Sequence, residues 1–147
     1  MNIYFVCTGN TCRSPMAEAI LKSKQLKDVD VRSAGIYALE GGNISENSSN
    51  VLNEENISFE HVTTPIKEED LKWADLVLTM TFAHKHMILQ MYPQYEEKIF
   101  TLKEYVTPYS SKDVSDPFGG DINTYRQTYK ELKRLIDELE KKIAGGD

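Results

Sequence analysis

The chain has 147 residues, 40% hydrophobic and 27% charged, with a formal net charge of −6. That is a globular composition with enough material for one domain, expected over residues 1–147, and its negative balance argues against nucleic acid or an anionic membrane as partner. No apolar run approaches the roughly 20 residues of a membrane span, and two cysteines, Cys7 and Cys12, cannot supply a disulfide framework or a four-cysteine zinc site. The first residues carry neither a basic segment nor a small-residue cleavage site, so a cytoplasmic location is expected.

Residues 2–7 read as a strand that is apolar on both faces. Residues 14–26 read as a helix, with Ser14 as N-cap and Pro15 in the first helical position. Residues 29–33 alternate as a second strand ending at Ala34-Gly35. A loop over 36–44 contains Gly41-Gly42-Asn43, and Ser45 caps a helix running to about Glu55. The extended piece His61 to Pro65 precedes a helical turn, Glu68 to Trp73. Asp75 to Met80 is the clearest later strand, followed by a helix over 82–91. Lys98 to Leu102 reads as a fourth strand. The loop from Thr107 to Gly120 carries prolines, serines and aspartates. In a last helix over about 122–143, Tyr125, Tyr129, Leu132, Leu135, Ile136 and Leu139 recur at helical spacing. The Lys and Glu residues of its other face read as solvated.

Strands separated by helices predict βαβ units with right-handed crossovers. The expected fold class is α/β: a three-layer, four-stranded parallel sheet in the order 2-1-3-4 with helices on both faces. Ligands bind such sheets outside the carboxyl ends of the strands. The segment Cys7-Thr8-Gly9-Asn10-Thr11-Cys12-Arg13-Ser14 sits at that end of the first strand.

This segment puts a thiol at a strand end and a guanidinium six residues later, on a loop that opens a helix. The helix dipole, the Arg13 charge and the backbone N–H groups of residues 8–13 can converge on one tetrahedral anion. They also favour the thiolate of Cys7, the form that attacks. Arg13 can grip two oxygens at once, which a lysine cannot. Gly9 is expected to allow a tight turn, Asn10 to take a left-handed conformation, and the Ser14 hydroxyl to donate to Cys7.

A leaving group needs a proton donor. Asp116, in Ser115-Asp116-Pro117-Phe118-Gly119-Gly120, is the candidate, with Asp113 second and Phe118 as an apolar wall. Asp-Pro and Gly-Gly are also plain turn signals. Cys12 is either a small filler or a thiol that closes a reversible disulfide onto an oxidised Cys7, which would make the site redox-sensitive. His61, His84 and His86 read as uninformative, since His84 and His86 lie two apart on a helix and point in different directions. No metal or cofactor is expected.

The Cys7–Ser14 loop with Asp116-Pro117-Phe118 resembles the low-molecular-weight protein tyrosine phosphatase family. The resemblance extends over Phe5-Val6-Cys7, Ser14-Pro15-Met16-Ala17-Glu18, Arg32-Ser33-Ala34-Gly35 and Ala74 to Met80. It implies a phosphocysteine on Cys7, Arg13 as phosphate clamp, and Asp116 as general acid and then base. Thr8, Gly9, Asn10, Thr11, Cys12, Ser14 and Phe118 would form the substrate site, with Asn10 and Ser33 bracing the loop. The loop and Phe100-Thr101-Leu102-Lys103-Glu104-Tyr105-Val106 resemble most closely the bacterial protein arginine phosphatase branch. That branch carries a threonine, here Thr11, where tyrosine-specific members carry a bulky apolar residue. The implied partners are phosphorylated proteins, with phosphoarginine preferred and phosphotyrosine the alternative. Arsenate reductases share this kind of loop but need further cysteines. A phosphocysteine carrier, or a silent phosphopeptide-binding module, would not need both Arg13 and Asp116.

Overall fold

The computed structural model describes residues 1–107 and 113–145. The 108–112 part of the expected Thr107–Gly120 loop lies outside the described residues. Strand β1 (Asn2–Cys7) pairs in parallel with β2 (Asp30–Gly35) and with β3 (Leu76–Thr79), and β3 pairs with β4 (Ile99–Thr101). The order is β2-β1-β3-β4, as expected.

Side chains alternate across a strand, so β1 serves two cores. Ile3, Phe5 and Cys7 face α1 (Arg13–Ser23), α2 (Glu46–Glu54) and α6 (Ile122–Ala144). Tyr4 and Val6 face α3 (Glu68–Trp73) and α4 (Phe82–Met91), packing with Leu71, Val77, Ile88 and Ile99. Burial on both faces explains the unbroken apolar run of this strand. Tyr125, Tyr129, Leu132, Leu135, Ile136 and Leu139 are all buried, so the expected stripe of α6 is its core face.

Three local expectations are corrected. Helix α1 starts at Arg13, with Cys12 at the N-cap position and no side-chain cap. Pro15 is therefore its third residue, and the Ser14 hydroxyl is turned to Cys7 instead of the helix end. The helix also ends earlier, at Ser23, two residues before Gln25 takes a φ of 51°. Leu102 belongs not to β4 but to a short helix, α5 (Leu102–Val106). Thr101 caps it and Glu104 closes a capping box, a Thr-x-x-Glu signal hidden by the apolar run before it. These ends matter because α1 and α5 both open at the carboxyl edge of the sheet.

Candidate active site

Between the end of β1 and the start of α1 the chain must turn within five residues, 8–12. Asn10 makes this possible with a φ of 57°, in the left-handed region that asparagine tolerates better than most residues. Its side chain is wholly buried and donates from Nδ2 to Ser14 Oγ at 2.8 Å and Ser33 Oγ at 2.9 Å. Its Oδ1 accepts from the Thr64 amide at 3.0 Å. Ser33 donates in turn to the buried Glu18 at 2.6 Å, whose charge is matched by Lys22. The loop is thus braced from behind by a polar network in which each member has a partner, as burial requires.

Ser14 Oγ lies 2.8 Å from Cys7 Sγ. Because Asn10 already donates to that oxygen, the Ser14 hydrogen is left for the sulfur or for Ala34 O at 3.4 Å, and the sulfur is nearer. Arg13 is buried, with Nη1 donating to Val114 O at 3.1 Å and Nη2 3.6 Å from Asp116 Oδ2. Asp116 is more than half exposed (55%) and accepts from the Phe118 amide at 3.1 Å, an Asx turn that fixes its rotamer. A cavity of ≈ 270 Å³ is lined by Cys7, Thr8, Gly9, Thr11, Cys12, Arg13, Asp116 and Phe118. The fold therefore brings a thiol, its loop and a guanidinium against a carboxylate from a distant part of the sequence.

Asn10 and Ser14, grouped by sequence with the substrate-contacting residues, have their side chains wholly buried in the network behind the loop. Gly9 lines the cavity beside the thiol. Its φ is not left-handed, and a Cβ on it would meet only Thr11 Oγ1 at 3.6 Å. The close approach falls on Gly35, where a Cβ would lie 2.6 Å from Thr8 O and 2.7 Å from Asn10 N. Gly35 pairs with Cys7 at the strand end, so only a bare backbone lets the loop fold back over β2. Cys12 is buried, with its sulfur 3.6 Å from both Ser45 Oγ and Tyr125 Oη. Burial and this neighbour push the Tyr125 hydroxyl up to about 12, so it stays protonated.

Two histidines read as uninformative touch the cysteine loop. His61 Nε2 donates to Asn10 O at 2.8 Å. His84, nearly buried at the start of α4, holds Thr8 Oγ1 with its Nε2 at 2.8 Å. Burial first, and then the Arg13 charge, lower its pKa to about 4, so it is neutral near pH 7. Its place after β3 at the carboxyl edge was the available signal; weighing it only against His86 as a metal pair missed it. Among the described residues no group of three or more His, Cys, Asp and Glu side chains could hold a metal ion.

An α/β sheet carrying a cysteine loop and an arginine at its carboxyl edge belongs, as a class, with the cysteine-dependent protein phosphatases. Residues 2–145 match the family described as low molecular weight phosphotyrosine protein phosphatase, and the chain belongs to that family. It is 49% identical over 146 residues to a protein-arginine-phosphatase of Bacillus subtilis, covering 97% of each chain. It is 45% identical to the low molecular weight protein-tyrosine-phosphatase PtpB of Staphylococcus haemolyticus, covering 95% of this chain and 97% of that one. The structure of the YwlE arginine phosphatase from Geobacillus stearothermophilus superposes with a TM-score of 0.97 at 47% identity, over 99% of this chain and 94% of that one.

Proposed function

We propose that this phosphatase hydrolyses phosphoarginine in proteins through a phosphocysteine on Cys7. The observation that carries it is the Cys7 sulfur set against the Ser14 hydroxyl, in a cavity that Arg13 and Asp116 share. The loop amides and Arg13 receive the phosphoryl group. The Cys7 thiolate attacks phosphorus; the S–P bond forms as the P–N bond breaks. The electron pair of that bond stays on the guanidine nitrogen, which takes the proton of Asp116. Asp116, now a carboxylate, takes a proton from water as the new O–P bond forms. The S–P bond then breaks, and thiolate and inorganic phosphate remain.

Phosphoarginine is favoured over phosphotyrosine by the relatives named arginine phosphatases and by Thr11. This residue lines the cavity, and its small polar side chain leaves room for a planar guanidinium. Asp116 can also face that cation before giving up its proton. The relative named a tyrosine phosphatase keeps the second reading open to test. Comparing kcat/KM on phosphoarginine and phosphotyrosine peptides, with and without Thr11→Ile, decides it. Wild type prefers phosphoarginine and the substitution moves the ratio toward phosphotyrosine; an unmoved ratio contradicts the role of Thr11.

Two further properties belong to this proposal. The enzyme works in the cytoplasm, where a nucleophilic thiol stays reduced. No helix among the described residues is long and apolar enough to cross a membrane. Oxidised Cys7 is rescued by a disulfide with Cys12, both being free thiols on the same cavity. Peroxide then causes a loss of activity that dithiothreitol reverses in wild type but not in Cys12→Ser.

A further inference from the structure

The loop that presents Asp116 is held in an unusual way. Asp113, Val114 and Ser115 are each fixed through the backbone, just before the exposed carboxylate. Val114 donates its amide to Met80 O at 3.0 Å and accepts from Arg13 on its carbonyl. On either side of Val114 the partner is an ion pair between a buried lysine and a half-buried glutamate. Lys103, on α5 and 8% exposed, donates from Nζ to Asp113 O at 3.1 Å and meets Glu131 Oε2 at 2.7 Å. Glu131, on α6, accepts the Ser115 amide on Oε1 at 3.1 Å, and the Ser115 hydroxyl donates to the same oxygen at 3.4 Å. One ion pair thus takes a carbonyl from one loop residue and an N–H from the residue two further on.

We infer that Lys103 and Glu131 are positioning residues for the reaction: their ion pair clamps the backbone on both sides of Val114 and thereby sets where Asp116 delivers its proton. The inference rests on the proposed role of Asp116. Packing of α5 against α6 does not require these charges. Ion pairs at the surface contribute little to stability, and buried ones are commonly no more stabilising than apolar residues of the same volume. What an apolar pair cannot do is accept a loop N–H and donate to a loop carbonyl. Burial alone would push the Glu131 carboxyl up, yet the Lys103 ammonium and the Ser115 amide hold it below the usual glutamate range. Glu131 is therefore a carboxylate at neutral pH. It also gives Lys103, in the Phe100–Val106 segment singled out from sequence, a task the chemistry had left unassigned.

Errors of about 1 Å in a reacting group can cost about 100-fold in rate. A proton donor matters most when the leaving group is basic. The test uses phosphoarginine peptide, whose guanidine needs the proton, and p-nitrophenyl phosphate, whose phenolate leaves readily. Glu131→Gln and Lys103→Met each lower kcat/KM, which reports formation of the phosphocysteine and not its hydrolysis, about 10-fold or more on the peptide and no more than about 3-fold on the aryl ester. In an Asp116→Asn background the same changes add little. Equal losses on both substrates, or losses that persist undiminished without Asp116, overturn the inference. The double variant Lys103→Met with Glu131→Leu removes both charges at once, so that no lone buried charge is left to unfold the protein. If it retains the wild-type rate on the peptide, the inference is overturned as well. If Asp116→Asn itself shows no difference in kcat/KM between the substrates, the proposed general-acid role of Asp116 fails and the clamp with it. A split for Asp116→Asn without one for the clamp variants overturns the clamp alone.

Discussion

The cysteine loop and the loop of Asp116 meet over one cavity but are built in opposite ways. Residues 7–14 are braced from behind by Asn10, Ser33, Glu18 and His61, all bonded to one another or to the loop backbone. Residues 113–118 end in an exposed carboxylate and an exposed Phe118, and are held by Arg13 from α1, Lys103 from α5 and Glu131 from α6. The difference follows the chemistry. The nucleophile and anion nest must be set before substrate arrives, because donors that need no rearrangement stabilise a transition state best. In the proposed mechanism the proton donor must reach a leaving group on a protein substrate, and Asp116 stands at the open rim.

The largest way to break this division is to remove the nucleophile. Cys7→Ala loses at least about 10⁴-fold in kcat on phosphoarginine peptide, measured as phosphate release, without unfolding. Next comes the rim. Asp116→Asn lowers kcat by about 10² to 10⁴-fold on the peptide, while a melt shows stability close to wild type because the carboxylate is exposed. Asn10→Ala sharpens the contrast from the other side. It removes three side-chain hydrogen bonds and puts alanine at a φ of 57°. Denaturant unfolding shows a loss of about 2–4 kcal/mol.

The smallest effect concerns pH. His84 has its folded pKa depressed to about 4 by burial and Arg13, against about 6.5 unfolded. The unfolded chain therefore takes up the proton first. The stability present above pH 6.5 is lost progressively as pH falls toward 4. His84→Gln keeps a hydrogen-bonding partner for Thr8 but does not titrate, so its unfolding free energy falls less than that of wild type between pH 7.5 and 5. Parallel curves would contradict this account of His84.

Much of the fold was legible because local signals agreed. The two-faced apolar strand, the stripe of α6 and the Ser45 cap all lie where pattern and propensity place them. The cysteine loop was legible for the same reason: its parts are neighbours in sequence. Lys103, Glu131, His84 and Gly35 were not, because their work depends on contacts across the fold. Glu131 looks like any solvated helix glutamate until Ser115 and Lys103 are brought against it. Gly35 looks like a turn glycine until β2 pairs with β1 and the loop folds over it. The helix start at Arg13 was misplaced because Ser14 satisfies two rules, capping and thiol support, and packing chose the second.

The central claim is that phosphoryl transfer passes through Cys7. Mixing the enzyme with phosphoarginine peptide, quenching in acid within milliseconds and mapping the adduct by mass spectrometry tests it most directly. The account predicts a phosphoryl group on the Cys7 sulfur that forms before phosphate is released and is absent from Cys7→Ala. Phosphate release at the wild-type rate from Cys7→Ala, or a phosphoryl group found on another residue, would contradict it.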